Sequence, residues 1–272
     1  MKAVLTAGCA AWLAACVPFQ GPMPSYESRP GAITTGPFEP LDPGASELDS
    51  LHFSVRAYGS EASRKAAESA EESYKRVMLD TNLYSFRPKG LYRIVVYATA
   101  DEFRKKTEQP SWSGGVTVGN AIYTFHGPHL PGVIAHEMTH LVFHEYMGRA
   151  DPALRWVNEG LAVHQEAMAV AGPQGTRDPF PLLRDKVRQS PLSMDHMIRF
   201  VPLTEAEYQV NAWYAQAYSM VRFMIERGGR IGFSQFLAAV KDGRTLDEAV
   251  GMGFPGGWRN LAGFEAEWQR SQ

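Results

Sequence analysis

His136-Glu137-Met138-Thr139-His140, followed after eighteen residues by Glu159 within Trp156-Val157-Asn158-Glu159-Gly160-Leu161-Ala162, is the stretch that decides the fold. Each residue of a helix turns roughly 100°, so histidines four apart lie about 40° from each other around the axis. Both imidazoles can then reach one metal ion from one face. Glu137 sits beside them without being needed as a ligand. Two neutral nitrogen ligands and a neighbouring carboxylate base are what zinc-assisted hydrolysis requires. Glu159 can supply a third ligand and leave a fourth position open, the feature that separates a catalytic site from a closed structural one.

Glu159 lies too far along the chain to share one short helix with His140. Gly148-Arg149-Ala150-Asp151-Pro152 carries Gly, Asp and Pro within five residues and reads as helix end, turn and restart. A second helix from about Pro152 to Ala169 packs against the first and brings Glu159 to the metal. Glu166, seven residues on, shares the face of Glu159. It is a candidate acceptor for the N–H of a ligand histidine, which would fix the tautomer; the other reading is a solvated helix face. Asn158 orders the loop or caps the Glu159 helix, with a substrate contact as the alternative.

At these residues the chain resembles the gluzincin metallopeptidases, on their aminopeptidase N and thermolysin side. Over more of its length it resembles the small bacterial peptidase MA-like proteins. The resemblance implies that His136, His140 and Glu159 are Zn2+ ligands and that Glu137 is the general base. It also implies a tyrosine on a later helix that stabilises the tetrahedral oxyanion. Trp213-Tyr214-Ala215-Gln216-Ala217-Tyr218-Ser219-Met220-Val221-Arg222-Phe223 resembles that helix. Tyr214 stands at the matching position, and Tyr218, one turn further along the same face, is the substitute. Thr245-Leu246-Asp247-Glu248-Ala249-Val250 and Phe264-Glu265-Ala266-Glu267-Trp268 resemble the tail of the MA-like group. The likeness covers roughly residues 50–270, and the short motifs carry its specificity.

One departure matters. The aminopeptidases hold the substrate's free amine with a Gly-x-Met-Glu-Asn stretch upstream of the zinc helix. Here that region reads Trp112-Ser113-Gly114-Gly115-Val116-Thr117-Val118-Gly119-Asn120-Ala121-Ile122-Tyr123-Thr124-Phe125, without an acidic residue. Amine capture by that route is absent, which leaves endopeptidase or another exopeptidase mode open.

At 272 residues there is room for one sizeable domain or two subdomains. Hydrophobic residues make up 44% and charged residues 21%, ordinary for a globular chain, and the net charge of −2 with no Lys/Arg run gives no sign of nucleic-acid binding. Met1-Lys2 followed by the apolar run Ala3 to Ala15 is too short to span a membrane and suits a secretory signal. Leu13-Ala14-Ala15-Cys16 resembles the bacterial lipobox, which implies acylation of Cys16 and a lipid anchor in the membrane. The alternative is an ordinary cleaved signal with Cys16 incidental. Cys9 leaves with the signal, so the mature chain carries no disulfide. Val17 is not an inner-membrane retention aspartate, so the expected place is the periplasmic side of the bacterial envelope, at the outer membrane.

Residues 17–46 hold seven prolines with interspersed glycine and read as an extended tether. The expected organisation is signal peptide 1–15, tether 16–46, an N-terminal α/β subdomain with the zinc helix over 47–150, and a helical subdomain over 151–272. Strands are expected at Leu51–Tyr58, Tyr92–Tyr97 and Asn120–Phe125. A helix capped by Ser60 runs to about Leu79, and a short one is capped by Thr99 with Glu102 as capping-box partner. Pro131 opens the zinc helix, which runs to about Tyr146. Later helices are expected near 180–190, 204–227, 231–241 and 245–250. The fold class is therefore α+β and, by the resemblance, zincin-like: a mixed sheet packed on the active-site helix, then a mostly helical subdomain. The family also implies that the strand before the zinc helix, Gly119 to Phe125, forms the cleft edge and pairs with an extended substrate; the other reading is a strand with its edge covered.

His144 shares the face of His140 and is a rival ligand. His164, His126 and His129 read with it as surface or rim histidines rather than ligands. The expected function is zinc-dependent hydrolysis of peptide or protein substrates in the cell envelope. Two alternatives stand beside it. One is a non-catalytic envelope lipoprotein with a structural zinc site that binds a protein partner. The other keeps the zinc chemistry but acts on another amide or an ester.

Overall fold

The computed structural model describes residues 38–111, 113–171, 178–200 and 207–272. The expected signal peptide, Cys16 and the proline-rich residues up to 37 lie outside the described residues.

Five strands form one mixed sheet in the order β1-β2-β3-β5-β4: β1 (Ser46–Asp49), β2 (Phe53–Ala57), β3 (Tyr92–Tyr97), β4 (Gly115–Val118) and β5 (Ala121–Phe125). The pairs β2–β3 and β3–β5 are parallel, whereas β1–β2 and β4–β5 are antiparallel. Parallel neighbours need a crossover. Helix α1 (Ser60–Thr81) supplies the first, and α2 (Ala100–Thr107) lies in the second. Helix α1 starts at Ser60 itself; Gly59, with φ 87, holds the cap position without a side-chain bond, so Ser60 is not the cap expected from the sequence. Thr99 does cap α2, accepting from Glu102 N–H. Glu102 reaches one residue further than a capping box requires and accepts from Ala98 N–H at 2.8 Å.

Strand β5 has both edges paired, so the covered-edge reading holds and the outer strand is β4. Val118 pairs with Ala121, which leaves Gly119-Asn120 as a two-residue turn. Gly119 has φ 62, the left-handed region that such turns use and glycine tolerates.

Helix α3 (Leu130–Met147) lies on the same side of the sheet as α1 and carries Pro131 in its first turn. Its end is fixed by Gly148 at φ 69, whose N–H bonds His144 O. Asp151 then accepts from Ala153 N–H, opening a 3-10 turn at Pro152–Leu154 that runs into α4 (Arg155–Ala171). The remaining elements are helices α5 (Arg184–Gln189), α6 (Met194–Arg199), α7 (Glu207–Gly228), α8 (Arg230–Lys241), α9 (Leu246–Gly253) and α10 (Leu261–Ser271). The molecule is thus α+β, as the sequence implied.

One hydrophobic core joins the sheet, α1, α3 and the later helices, from Phe53 and Ile94 through Met138 and Trp156 to Trp268. A smaller cluster of Leu41, Tyr97, Phe103 and Val116 covers the other sheet face, with Phe38 packed against it. Residues 38–45, expected to belong to the tether, are therefore docked: Tyr97 Oη donates to Glu39 O at 2.7 Å and Lys106 Nζ to Pro40 O at 3.0 Å. Two apolar side chains among prolines and glycines are enough to seat this segment, because each removes a large apolar area from water.

Candidate metal centre

Helix α3 is buried from Gly132 to Phe143, so its histidines are held inside the protein. Helix α4 packs along it and is likewise buried from Trp156 to Ala167. Burial of both helices over these lengths explains their apolar composition, and it leaves the few polar side chains facing one another.

His136, His140 and Glu159 converge. One ligand atom from each lies within 4.8 Å of the others. Glu159 Oε2 is 3.8 Å from His136 Nε2 and 3.7 Å from His140 Nε2, too far for hydrogen bonds and slightly wider than the roughly 3.4 Å expected between tetrahedral zinc ligands. The outer nitrogens are already engaged. His136 Nδ1 lies 2.9 Å from Glu166 Oε2, and His140 Nδ1 lies 3.0 Å from Asn158 Oδ1. A carboxylate or an amide oxygen can only accept, so the proton sits on Nδ1 in both rings and each Nε2 turns a lone pair toward Glu159.

The donor set fits a metal ion. His136 Nε2 is buried and has no hydrogen-bond partner. Leaving such an atom unsatisfied costs about 1–3 kcal/mol, which a cation at the centre of the three side chains would remove. Electrostatics agrees. Burial pushes the His136 imidazole down to about 3 and holds His140 well below the usual range, so both rings are neutral and able to ligate.

Glu137 is 1% exposed and adjoins the triad. Burial pushes its carboxyl up to about 8, helped by the charges of Glu159 and Glu166 and opposed by a hydrogen bond from Thr117. That hydroxyl, on β4, donates to Glu137 Oε2 at 2.7 Å. No local signal announces this contact, because Thr117 and Glu137 lie twenty residues apart and meet only through the sheet.

Tyr214 is buried on α7, its ring edge-on to Trp213. It lies one turn before Ala217, whose carbonyl faces Gly160 so closely that a Cβ there would sit 2.3 Å away. Helices α4 and α7 therefore touch backbone to backbone beside Glu159. Tyr218 instead stacks on His164, meets Phe180 at a tilt, and lines a cavity with Arg184, Arg222 and Glu226.

The other histidines stay out of the triad. His126 and His129 are exposed near the start of α3, and His164 Nε2 lies 3.3 Å from Asp80 Oδ2. His144, the rival ligand, has its Nε2 3.4 Å from Asn158 Nδ2. Asn158 thus spans His140 and His144 with its two amide atoms. Among the described residues, no fourth His, Cys, Asp or Glu joins His136, His140 and Glu159.

No curated protein matches the chain. The family model described as the peptidase MA superfamily matches residues 69–272, three quarters of the chain, including α3, α4 and α7. With that match and the buried His136, His140 and Glu159 triad of gluzincin type, the chain belongs to the peptidase MA superfamily.

Proposed function

We propose that this protein is a zinc-dependent metallopeptidase that hydrolyses peptide bonds in peptide or protein substrates at the bacterial cell envelope. The observation that carries the reading is the buried triad with a carboxylate beside it, in a chain of a peptidase superfamily. His136, His140 and Glu159 hold the ion. Zinc, when bound, supplies Lewis-acid chemistry at the position those three side chains leave open. That no fourth His, Cys, Asp or Glu joins the triad among the described residues favours such an open site over a structural clamp.

The remaining work falls to the chain's own residues. Glu137 takes a proton from the attacking water and passes it to the leaving amine. Glu166 and Asn158 hold the two imidazoles in the ligating tautomer. Tyr214 donates a hydrogen bond to the developing oxyanion; its support is the family resemblance and its place beside the α4–α7 contact at Gly160. The envelope location rests on Leu13-Ala14-Ala15-Cys16, with a lipid on Cys16 anchoring the protein in the outer membrane, facing the periplasm.

The test is cleavage of a mixed peptide library by the purified full chain, read by mass spectrometry, with Glu137→Gln alongside. Cleavage by the wild type alone supports the reading, and the cut sites give endo or exo mode. Equal cleavage by Glu137→Gln removes Glu137 as base; no cleavage by either protein with metal bound in both removes peptide hydrolysis. Palmitate labelling that persists in Cys16→Ser would remove Cys16 as the lipidated residue, and no labelling of the wild type would remove the lipid anchor.

A further inference from the structure

Glu137 is held from β4. Two residues of that strand share the face turned to α3, because side chains alternate along a strand. The first is Gly115, where a Cβ would lie 2.7 Å from Val133 Cγ1 and 3.2 Å from Glu137 Cγ. The missing side chain lets α3 come close enough for the Glu137 stem to lie against the strand. The second is Thr117, paired with the buried Ile122 of β5. Its Oγ1 is 2.7 Å from Glu137 Oε2 and 3.2 Å from Glu137 O. Val116, between them, points the other way, into the cluster of Tyr97 and Phe103.

We propose that Thr117 is a positioning residue for Glu137: its hydroxyl clamps Oε2 against the edge strand and so aims the carboxylate for proton transfer. This rests on the reading of Glu137 as the general base. The geometry suits the task. A hydroxyl that engages one carboxylate oxygen leaves the second available, and among the described residues Glu137 Oε1 makes no hydrogen bond. A proton arriving on Oε1 leaves the bond at Oε2 intact, so the side chain keeps its place as the proton comes and goes. Threonine suits the position further, since its branched Cβ restricts χ1 and fixes where the hydroxyl points. A buried carboxylate with neither oxygen hydrogen-bonded would be costly, and the Thr117 hydroxyl satisfies one of the two.

The test compares Thr117→Val, which keeps the shape and removes the hydroxyl, with Thr117→Ser, which keeps the hydroxyl. Metal content is measured in both. The expected result is unchanged metal binding, a kcat lowered about tenfold to a hundredfold in Thr117→Val with KM nearly constant, and substantial recovery in Thr117→Ser. Wild-type kcat in Thr117→Val, a change in KM alone, or equal loss in both variants overturns the proposal. Crystal structures of wild type and Thr117→Val give a readout that needs no substrate: the Glu137 carboxylate should swing away in the variant, and an unmoved carboxylate overturns the proposal. A wild type that cleaves no peptide while the carboxylate swings in Thr117→Val would overturn the peptidase reading and leave Thr117 as the group that positions Glu137.

Discussion

His140 Nδ1 donates to Asn158 Oδ1 at 3.0 Å, so the residue immediately before one candidate metal ligand fixes the ring of another. Glu166 does the same for His136 from two turns further along α4. A single helix therefore carries the third member of the triad and orients the two histidines, and its placement against α3 sets the whole site.

Removing either acceptor should loosen the metal without unfolding the protein. Asn158→Ala and Glu166→Ala are each expected to lower metal affinity about tenfold to a hundredfold, measured by competition with a chelator. Asn158→Asp, which keeps an oxygen opposite His140 Nδ1, should lose less than Asn158→Ala. Wild-type affinity in both alanine variants would show that the rings are held by packing alone.

The ligand and the base should separate cleanly. Glu159→Ala removes one of three donors and is expected to lose most of its metal at stoichiometric zinc, whereas Glu137→Gln should bind it as the wild type does and lose about a hundredfold or more in kcat. Elemental analysis after dialysis reads the first, and peptide hydrolysis the second. Full zinc occupancy in Glu159→Ala would move the third ligand to another residue.

Local signals carried much of this structure. The helical spacing of His136 and His140, Pro131 and Gly148 at the ends of α3, Asp151-Pro152 at the restart and the Thr99 cap of α2 all act within one or two turns, so they are legible in sequence. What was missed depends on distant partners. The four residues of β1 are mostly polar and become a strand by pairing with β2. Strand β4 was hidden although Gly119-Asn120 between two β-rich segments is a hairpin signal. The six-residue α6 is too short for periodicity and is marked by its Ser193 cap. Thr117 with Glu137 and Asp80 with His164 are contacts made by the tertiary fold, and no spacing announces them.

Asp80 gives a pH-dependent test away from the metal. Burial alone would raise its carboxyl, but hydrogen bonds with His164 and Gln165 and the Arg230 charge outweigh that, and it lies below the usual aspartate range. A lowered folded-state pKa stabilises above the unfolded value near 4, and the benefit fades as pH falls through the folded value. Asp80→Asn should thus destabilise by on the order of 2 kcal/mol at pH 7, with the gap to wild type closing below about pH 4. Urea unfolding across that range checks the sign; a gap that widens in acid would contradict it.

Gly160 tests the α4–α7 contact on which both Glu159 and Tyr214 depend. An added Cβ would lie 2.3 Å from Ala217 O and 2.7 Å from Ala217 C and Val221 Cγ2. Two of those atoms are backbone and cannot rotate away, so the helices must part. Alanine favours a helix by about 1 kcal/mol over glycine, which offsets a fraction of the overpacking. Gly160→Ala is expected to destabilise by about 2 kcal/mol or more net and to weaken metal binding as Glu159 is displaced. Gly132→Ala is the contrast: its nearest obstacle is the side-chain atom Val170 Cγ2 at 2.9 Å, on an exposed residue that can turn aside. Thermal unfolding of the two variants should rank Gly160→Ala well below Gly132→Ala, and the reverse order would mean that α7 does not bear on α4 at this point.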